Sequence, residues 1–134
     1  MEKTFYLEII TADRQFFIGQ ADALILPIQD GQYGVLAGHE PTVTAILPGE
    51  LKFKAEGQWQ VAAVAGGFAE ISPDYVIVLV ASAEHPDEID VKRAEAARER
   101  AEERLRHKQS KVEYYTSKAA LARAMARLKT RGGK

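Results

Sequence analysis

The spacing of apolar residues changes near Pro86 from a strand-like pattern to a helical one. Before that point, short runs of aromatic and β-branched residues alternate with polar positions, as in half-buried strands. Glycine and proline separate the runs, and all five prolines and eight of the ten glycines precede residue 87. The pattern predicts strands at 5–11, 16–18, 23–28, 42–47, 50–55, 59–65, 67–71 and 75–81, with a glycine-punctuated loop over 31–38. Many short strands without a helix between them indicate a β-sandwich or barrel.

After Pro86 the chain consists mostly of strong helix formers. One apolar stripe contains Val91, Ala94, Ala101 and Leu105, and a second contains Tyr114, Leu121, Met125 and Leu128. A short polar break around Gln109 and Ser110 separates them, which predicts an antiparallel helical hairpin. Because its seam is rich in alanine, the hairpin buries little apolar area and should be marginal by itself.

Composition and charge narrow the possible functions. The absence of cysteine excludes disulfides, thiol nucleophiles and cysteine-ligated metals. No apolar run reaches the roughly 18 residues of a membrane-spanning helix, and the N-terminus lacks a signal-peptide layout. Residues 1–87 carry four Lys/Arg and twelve Asp/Glu, whereas residues 88–134 carry fourteen and seven. This asymmetry predicts two modules with different electrostatic partners.

The sequence contains no arrangement typical of an enzyme. His39, His85 and His107 lie on three different predicted elements and lack the spacing of metal ligands. Neither a nucleophile elbow nor a phosphate-binding loop is present. The pair Gly66 and Gly67 is more typical of a tight turn or bulge than of a phosphate cradle. We therefore expect a noncatalytic protein without a metal site.

Several segments in order resemble the epsilon family of bacterial and chloroplast ATP synthases. They are residues 34–41 (GVLAGHEP), 65–71 (AGGFAEI), 83–84 (AE), 88–94 (EIDVKRA) and 123–128 (RAMARL). The resemblance implies an α+β fold, mostly β in its N-terminal half. A ten-stranded β-sandwich would occupy residues 1–86, and an antiparallel two-helix hairpin would occupy residues 87–134.

The resemblance also implies a role in the central stalk of a proton-translocating complex. The sandwich would bind the gamma subunit and the ring of c-subunits, with Gly38, His39 and Glu40 at the c-ring. The hairpin would permit ATP hydrolysis when folded down and inhibit it when extended into the alpha/beta catalytic head. The protein would lie peripherally at the cytoplasmic face of the bacterial membrane. Without the resemblance, residues 38–40 read simply as an exposed polar turn.

The start of the hairpin is the candidate ligand site. In family members that bind ATP, the motif formed here by Ile89, Asp90, Arg93 and Ala94 contributes to the nucleotide site. Asp90, Arg93 and Arg100 share a helical face. The hairpin turn would bring the other members of the site beside them, namely Arg123, Arg127 and, on the sandwich side, Glu84. Guanidinium groups gathered in this way suit the phosphates of ATP, with or without magnesium.

Two simpler interpretations of these residues remain open. Asp90 can cap the first helix or pair with Arg93, and the arginines can form a solvated basic face. The chain would then be a purely structural rotor subunit without ATP affinity. A nucleic-acid-binding module that uses the basic hairpin is a further alternative, although the acidic first half is unfavourable for nucleic acid.

Overall fold

The computed structural model describes residues 3–107 and 110–132, and it has ten strands followed by two helices. The strands are β1 Phe5–Ile10, β2 Gln15–Ala21, β3 Ala23–Ile28, β4 Gly31–Val35, β5 Thr42–Ile46, β6 Gly49–Ala55, β7 Gln58–Val64, β8 Gly67–Ile71, β9 Tyr75–Val80 and β10 Ala83–Glu84. A short 3-10 helix, Pro86–Glu88, leads to α1 (Val91–Arg106) and α2 (Lys111–Arg131). The predicted fold class is confirmed.

The strands form two five-stranded sheets that enclose one core. Their orders are β2-β1-β9-β8-β5 and β10-β7-β6-β3-β4, and all the pairings are antiparallel except that of β1 with β9. Alternate residues of the strands point into the core, as the period-two pattern predicts. In β1 these are Phe5, Leu7 and Ile9, which are at most 1% exposed.

Two strands were not predicted from the apolar pattern. Residues 31–35 form β4 rather than a loop, and β4 pairs with β3 at the edge of its sheet from Leu24–Val35 to Ile28–Gly31. Its two glycines hide the strand signal, and only Val35 of the strand is buried. β10 has two residues, paired with Ala63 and Val64, which is too short to give a period. Backbone pairing, rather than apolar alternation, defines both strands.

The helices begin at side-chain caps. Asp90 accepts a hydrogen bond from the backbone N–H of Arg93 at the start of α1. Ser110 and Glu113 form a reciprocal capping box at the start of α2. Gln109, the other residue of the predicted turn, lies outside the described residues. α1 packs against α2, and α2 in turn packs against β6 and β7.

The predicted apolar stripe of α2 is wrong at two of its four positions, whereas Leu121 and Leu128 are half-buried. Tyr114 and Met125 are 42% and 50% exposed. The buried residues of α2 are instead small, namely Ser117, Ala124, Ala126 and Thr130. Positions 124 and 126 point to opposite sides of a helix, so α2 is covered on two sides, as its place between α1 and the sandwich requires. Small side chains allow this close approach, whereas Tyr114 and Met125 remain exposed. Ala94 and Ala101 of the α1 stripe are buried as predicted.

Candidate functional site

A cavity of about 350 Å³ lies where the hairpin meets the end of the sandwich. It is lined by residues from β10, the 3-10 helix and both long helices, namely Glu84, Glu88, Asp90, Arg93, Ala94, Ala97, Arg100 and Arg127. Six of the eight residues predicted for the ligand site are therefore brought together. Of the other two, Ile89 is buried at 5% exposure, and Arg123 lines a separate small recess beside β7.

The helical spacing of α1 places its residues along the cavity. Arg93, Ala97 and Arg100 are four and three residues apart, which aligns them on one face over two turns. Ala97 was missed because alanine carries no chemical signal. Its methyl group nevertheless leaves open the space between the two arginines.

Asp90 has the capping role that the simpler interpretation assigned to it. Its Oδ1 accepts the backbone N–H of Arg93 at 3.1 Å, and its carboxylate lies at the positive end of the helix dipole. The residue also lines the cavity. A cap and a cavity-lining residue are compatible, since one carboxylate oxygen is enough for the cap.

Arg127 connects α2 to the sandwich. Its Nε donates to Glu84 Oε1 at 2.5 Å, and the two side chains are 32% and 28% exposed. One turn further along, Arg131 Nη1 donates to the carbonyl oxygen of Pro86 at 3.3 Å. Both bonds join the last turns of α2 to the segment that begins the hairpin. They therefore hold the hairpin folded down and close one wall of the cavity.

Glu88 is bound by an arginine that the sequence did not indicate. Arg14, in the turn between β1 and β2, donates from Nη1 to Glu88 Oε2 at 3.0 Å and from Nη2 to Oε1 at 2.8 Å. Its Nη2 also donates to the carbonyl oxygen of Ala83 at 2.7 Å. The partners are 74 residues apart in sequence. No local pattern could have paired them.

The ion pair between Glu88 and Arg14 predicts that the stability of the fold falls at acidic pH. The Arg14 bond, followed by the backbone N–H of His85, lowers the pKa of Glu88 from 4.5 to about 2. Since the folded pKa is the lower one, the contact stabilises the fold fully above pH 4.5, and its contribution disappears as the pH falls towards about 2. Both side chains are more than a third exposed, so solvent screening keeps the effect small.

This expectation can be checked by denaturant unfolding of the wild type and Glu88→Gln. The wild type should be slightly more stable at about pH 7, and the difference should narrow at about pH 3. A difference that stays constant between the two pH values would contradict the proposed ionisation of Glu88.

Around the cavity, the carboxylates have hydrogen-bond partners in the protein, whereas two of the guanidinium groups have none among the described residues. Glu84 is paired with Arg127, Glu88 with Arg14, and Asp90 with the backbone of Arg93. In contrast, the guanidinium groups of Arg93 and Arg100 have no hydrogen-bond or ion-pair partner among residues 3–107 and 110–132. The cavity therefore offers two unpaired cations beside carboxylates that each accept at least one hydrogen bond, which is an arrangement suited to an anion.

The segment predicted for the c-ring lies in the loop between β4 and β5. His39 Nε2 is 2.9 Å from the hydroxyl of Tyr33, and its Nδ1 is 2.8 Å from the carbonyl oxygen of Glu40. Because a carbonyl only accepts, Nδ1 carries the proton, and in the neutral ring Nε2 accepts from Tyr33. Gly38 has a φ of 86° and donates its N–H to Pro73. These bonds give an exposed loop one defined shape.

The described residues offer no metal centre and no membrane span. Within 3–107 and 110–132, no three His, Cys, Asp or Glu side chains lie together as metal ligands. In the same part of the chain, neither helix is long and apolar enough to cross a bilayer.

Two family profiles together match almost the whole chain. The beta-sandwich domain of the ATP synthase Delta/Epsilon chain matches residues 4–86, and the long alpha-helix domain of that chain matches residues 87–132. The ATP synthase epsilon chain of Ruminiclostridium cellulolyticum is 55% identical over 125 residues, which cover 93% of each chain. That of Caldanaerobacter subterraneus is 48% identical over 130 residues, covering 96% of this chain and 94% of the relative.

Solved structures have the same fold. A chain of the Euglena gracilis mitochondrial ATP synthase, from an OSCP/F1/c-ring structure, aligns with a TM-score of 0.80 at 25% identity and covers 92% of this chain and 78% of its own length. A chain of the Tetrahymena thermophila mitochondrial ATP synthase, from a central stalk/c-ring structure, aligns with a TM-score of 0.73 at 9% identity, which indicates the fold alone. On the matching profiles and the high identity to bacterial relatives, the chain belongs to the delta/epsilon family of ATP synthase subunits, as an epsilon subunit of the central stalk.

Proposed function

We propose that this epsilon subunit is a noncatalytic regulator whose folded-down hairpin is stabilised by ATP. The observation that carries the proposal is the cavity of about 350 Å³ with two unpaired guanidinium groups, Arg93 and Arg100. Its volume lies within the roughly 300–1,000 Å³ of small-molecule sites. Arginine forks match phosphate oxygens, so a triphosphate would find its counter-charges already in place.

ATP stabilises the folded-down state because that state alone contains the complete site. Glu84 comes from the sandwich, Arg93 and Arg100 come from α1, and Arg127 comes from α2. A hairpin that leaves the sandwich separates these groups. ATP therefore shifts the population towards the folded-down form by its difference in affinity for the two forms. When ATP is scarce, the extended form gains population and inhibits hydrolysis.

Glu84 is the candidate for recognising the adenine amino group. Its Oε1 is bound to Arg127, which leaves Oε2 to accept a hydrogen bond. Any magnesium would arrive with the triphosphate, since no metal-ligand cluster exists among residues 3–107 and 110–132. Arg123 lies one turn from Arg127 on the same side of α2, and it lines the neighbouring recess rather than the cavity.

The partners are assigned to separate surfaces of the sandwich. The loop with Gly38, His39 and Glu40 is proposed to contact the c-ring, because it is exposed and held in one shape. The gamma subunit is assigned to the outer face of the sheet β2-β1-β9-β8-β5, which exposes the apolar side chains Ile18, Val43, Phe68 and Leu79. The extended hairpin would reach the alpha/beta head. These contacts would hold the subunit at the cytoplasmic face of the membrane and couple it to proton transport.

The basic hairpin is poorly suited to nucleic acid. Two of its arginines are already paired with glutamates of the same helix, Arg98 with Glu102 and Arg106 with Glu103. Nucleic-acid binding depends on Lys and Arg side chains that are free to neutralise phosphates. Alternating charges on α1 leave fewer such side chains.

Calorimetric titration of the full chain with ATP, with and without magnesium, tests the proposal. A saturable one-site isotherm is expected, together with slower tryptic cleavage of the lysine- and arginine-rich hairpin when ATP is present. The second readout links binding to the folded-down state. No binding at millimolar ATP would leave the purely structural rotor subunit, and a strongly salt-dependent affinity for RNA or DNA would favour the third alternative.

A further inference from the structure

Arg14 lies at the centre of a group of side chains that includes Glu88, one of the acidic residues of the cavity wall. Besides its two bonds to Glu88, the Arg14 guanidinium lies 5.2 Å from the centre of the Phe16 ring. Phe16 also stacks on His85 with the ring centres 4.2 Å apart and the planes at 26°. We call Arg14, Phe16, His85 and Glu88 the Arg14 cluster.

The turn that carries Arg14 is itself built to present the guanidinium. Thr11, which is only 7% exposed, donates from its hydroxyl to Asp13 at 2.7 Å. The same hydroxyl is 3.2 Å from the backbone nitrogen of Arg14, and the backbone N–H of Thr11 bonds to the carbonyl oxygen of Arg14 at 2.9 Å. Arg14 is therefore held at both its backbone and its side chain. A guanidinium fixed in this way loses little entropy when it binds a carboxylate.

The charge of Glu88 makes this arrangement relevant to an anion. Glu88 lines the cavity together with Arg93 and Arg100. Its carboxylate is ionised at neutral pH, since the Arg14 bond lowers its pKa to about 2. An unpaired carboxylate at this place would repel a triphosphate. The bidentate pair offsets that repulsion, because the positive charge of Arg14 lies within hydrogen-bond distance of both carboxylate oxygens.

We propose that Arg14 is a positioning residue of the nucleotide site, which neutralises Glu88 and holds both of its carboxylate oxygens. The inference rests on the proposed ATP binding and extends it to the turn between β1 and β2, which does not line the cavity. The sandwich would then influence nucleotide affinity through the charge of Arg14 as well as through its contact with the hairpin.

A double-mutant cycle on the full chain separates this role from a purely structural one. ATP affinity is measured by calorimetry for the wild type, Arg14→Gln, Glu88→Gln and the double variant. Arg14→Gln should weaken ATP binding about three- to tenfold, because it leaves a free carboxylate in a partly solvated site. Glu88→Gln should bind ATP at least as tightly as the wild type, and the double variant should bind more tightly than Arg14→Gln, since neither contains that carboxylate.

Two controls keep the cycle interpretable. Lys54→Gln removes one positive charge from the sandwich at a groove remote from the cavity, and it should leave ATP affinity unchanged. The deficit of Arg14→Gln should also shrink as sodium chloride is raised, because salt screens repulsion between partly exposed charges. Thermal unfolding of each variant verifies that the sandwich is folded.

The outcomes are distinct. If the double variant binds as weakly as Arg14→Gln, the cluster acts as a structural latch and the charge role is overturned. Unchanged affinity in Arg14→Gln, with wild-type binding intact, overturns this inference alone. If the wild type itself binds no ATP, the proposed function and this inference fall together.

Discussion

Arg93→Ala is expected to lower the affinity for ATP by about 10- to 100-fold while leaving the sandwich folded. Arg93 lines the cavity, and its guanidinium has no other partner among the described residues, so its hydrogen bonds are free for the ligand. Hydrogen bonds to charged groups contribute roughly 1.5–3 kcal/mol, which corresponds to the stated loss. Calorimetric titration of the purified variant gives the affinity directly.

The neighbouring residue provides a matched control. Lys92→Ala removes a cation from the same turn of α1, but Lys92 is exposed and does not line the cavity. Its ATP affinity should stay within about twofold of the wild type, since a screened surface charge contributes little. Equal losses in both variants would point to general electrostatic attraction, and no loss in Arg93→Ala would remove the arginine from the site.

Gly67→Ala is expected to destabilise the sandwich by about 3 kcal/mol or more. A Cβ atom at Gly67 would lie 2.0 Å from the carbonyl oxygen of Leu79 and 2.8 Å from the Cα atom of Val80. Both are backbone atoms of β9, which pairs with β8 at this point. A strand backbone cannot move aside as a flexible side chain can, so the sheet would have to separate locally.

Thermal and denaturant unfolding measure this effect. Gly34→Ala is the appropriate control, because Gly34 also lies in a strand and nothing is within 4 Å of its added Cβ. The control should unfold within about 0.5 kcal/mol of the wild type. A loss of 3 kcal/mol is a large part of the roughly 5–15 kcal/mol that stabilises a domain of this kind. Equal stability of Gly67→Ala and Gly34→Ala would show that the backbone of β9 can move to accommodate the added Cβ atom.

The Gly66-Gly67 pair predicts a role in the backbone but not the partner of that backbone. The pair was predicted to serve the backbone rather than a phosphate, and Gly67 begins β8 against the backbone of β9. The pattern indicates that a glycine pair has a backbone role. It does not identify the strand that comes so close, because that strand is defined by pairing across the sheet.

In the helical hairpin, the sequence predicts the helices but not which of their residues are buried. Helical spacing of apolar residues and helix-forming composition predict α1 and α2, but Tyr114 and Met125, which the same spacing places in the seam, are exposed. A single apolar stripe in the sequence predicts a helix that is buried on one face only. α2 lies between α1 and two strands, so its fully buried residues are small ones on two sides of the helix. Only the partners of a helix decide how many of its faces are covered.

The sequence by itself determined the features that depend on neighbours along the chain. These are the change of period near Pro86, the cap at Asp90 and the alignment of Arg93 with Arg100 on one face of α1. Helical and strand periods are local, so they can be read from short windows.

The tertiary structure alone decided which distant charges meet. It paired Arg14 with Glu88 and Arg127 with Glu84, and it left Arg93 and Arg100 without protein partners among the described residues. The paired residues are 74 and 43 positions apart, and the strength of an ion pair depends on distance in space. The sequence therefore supplied the arginines, and the docking of the hairpin on the sandwich determined which of them are free to bind an anion.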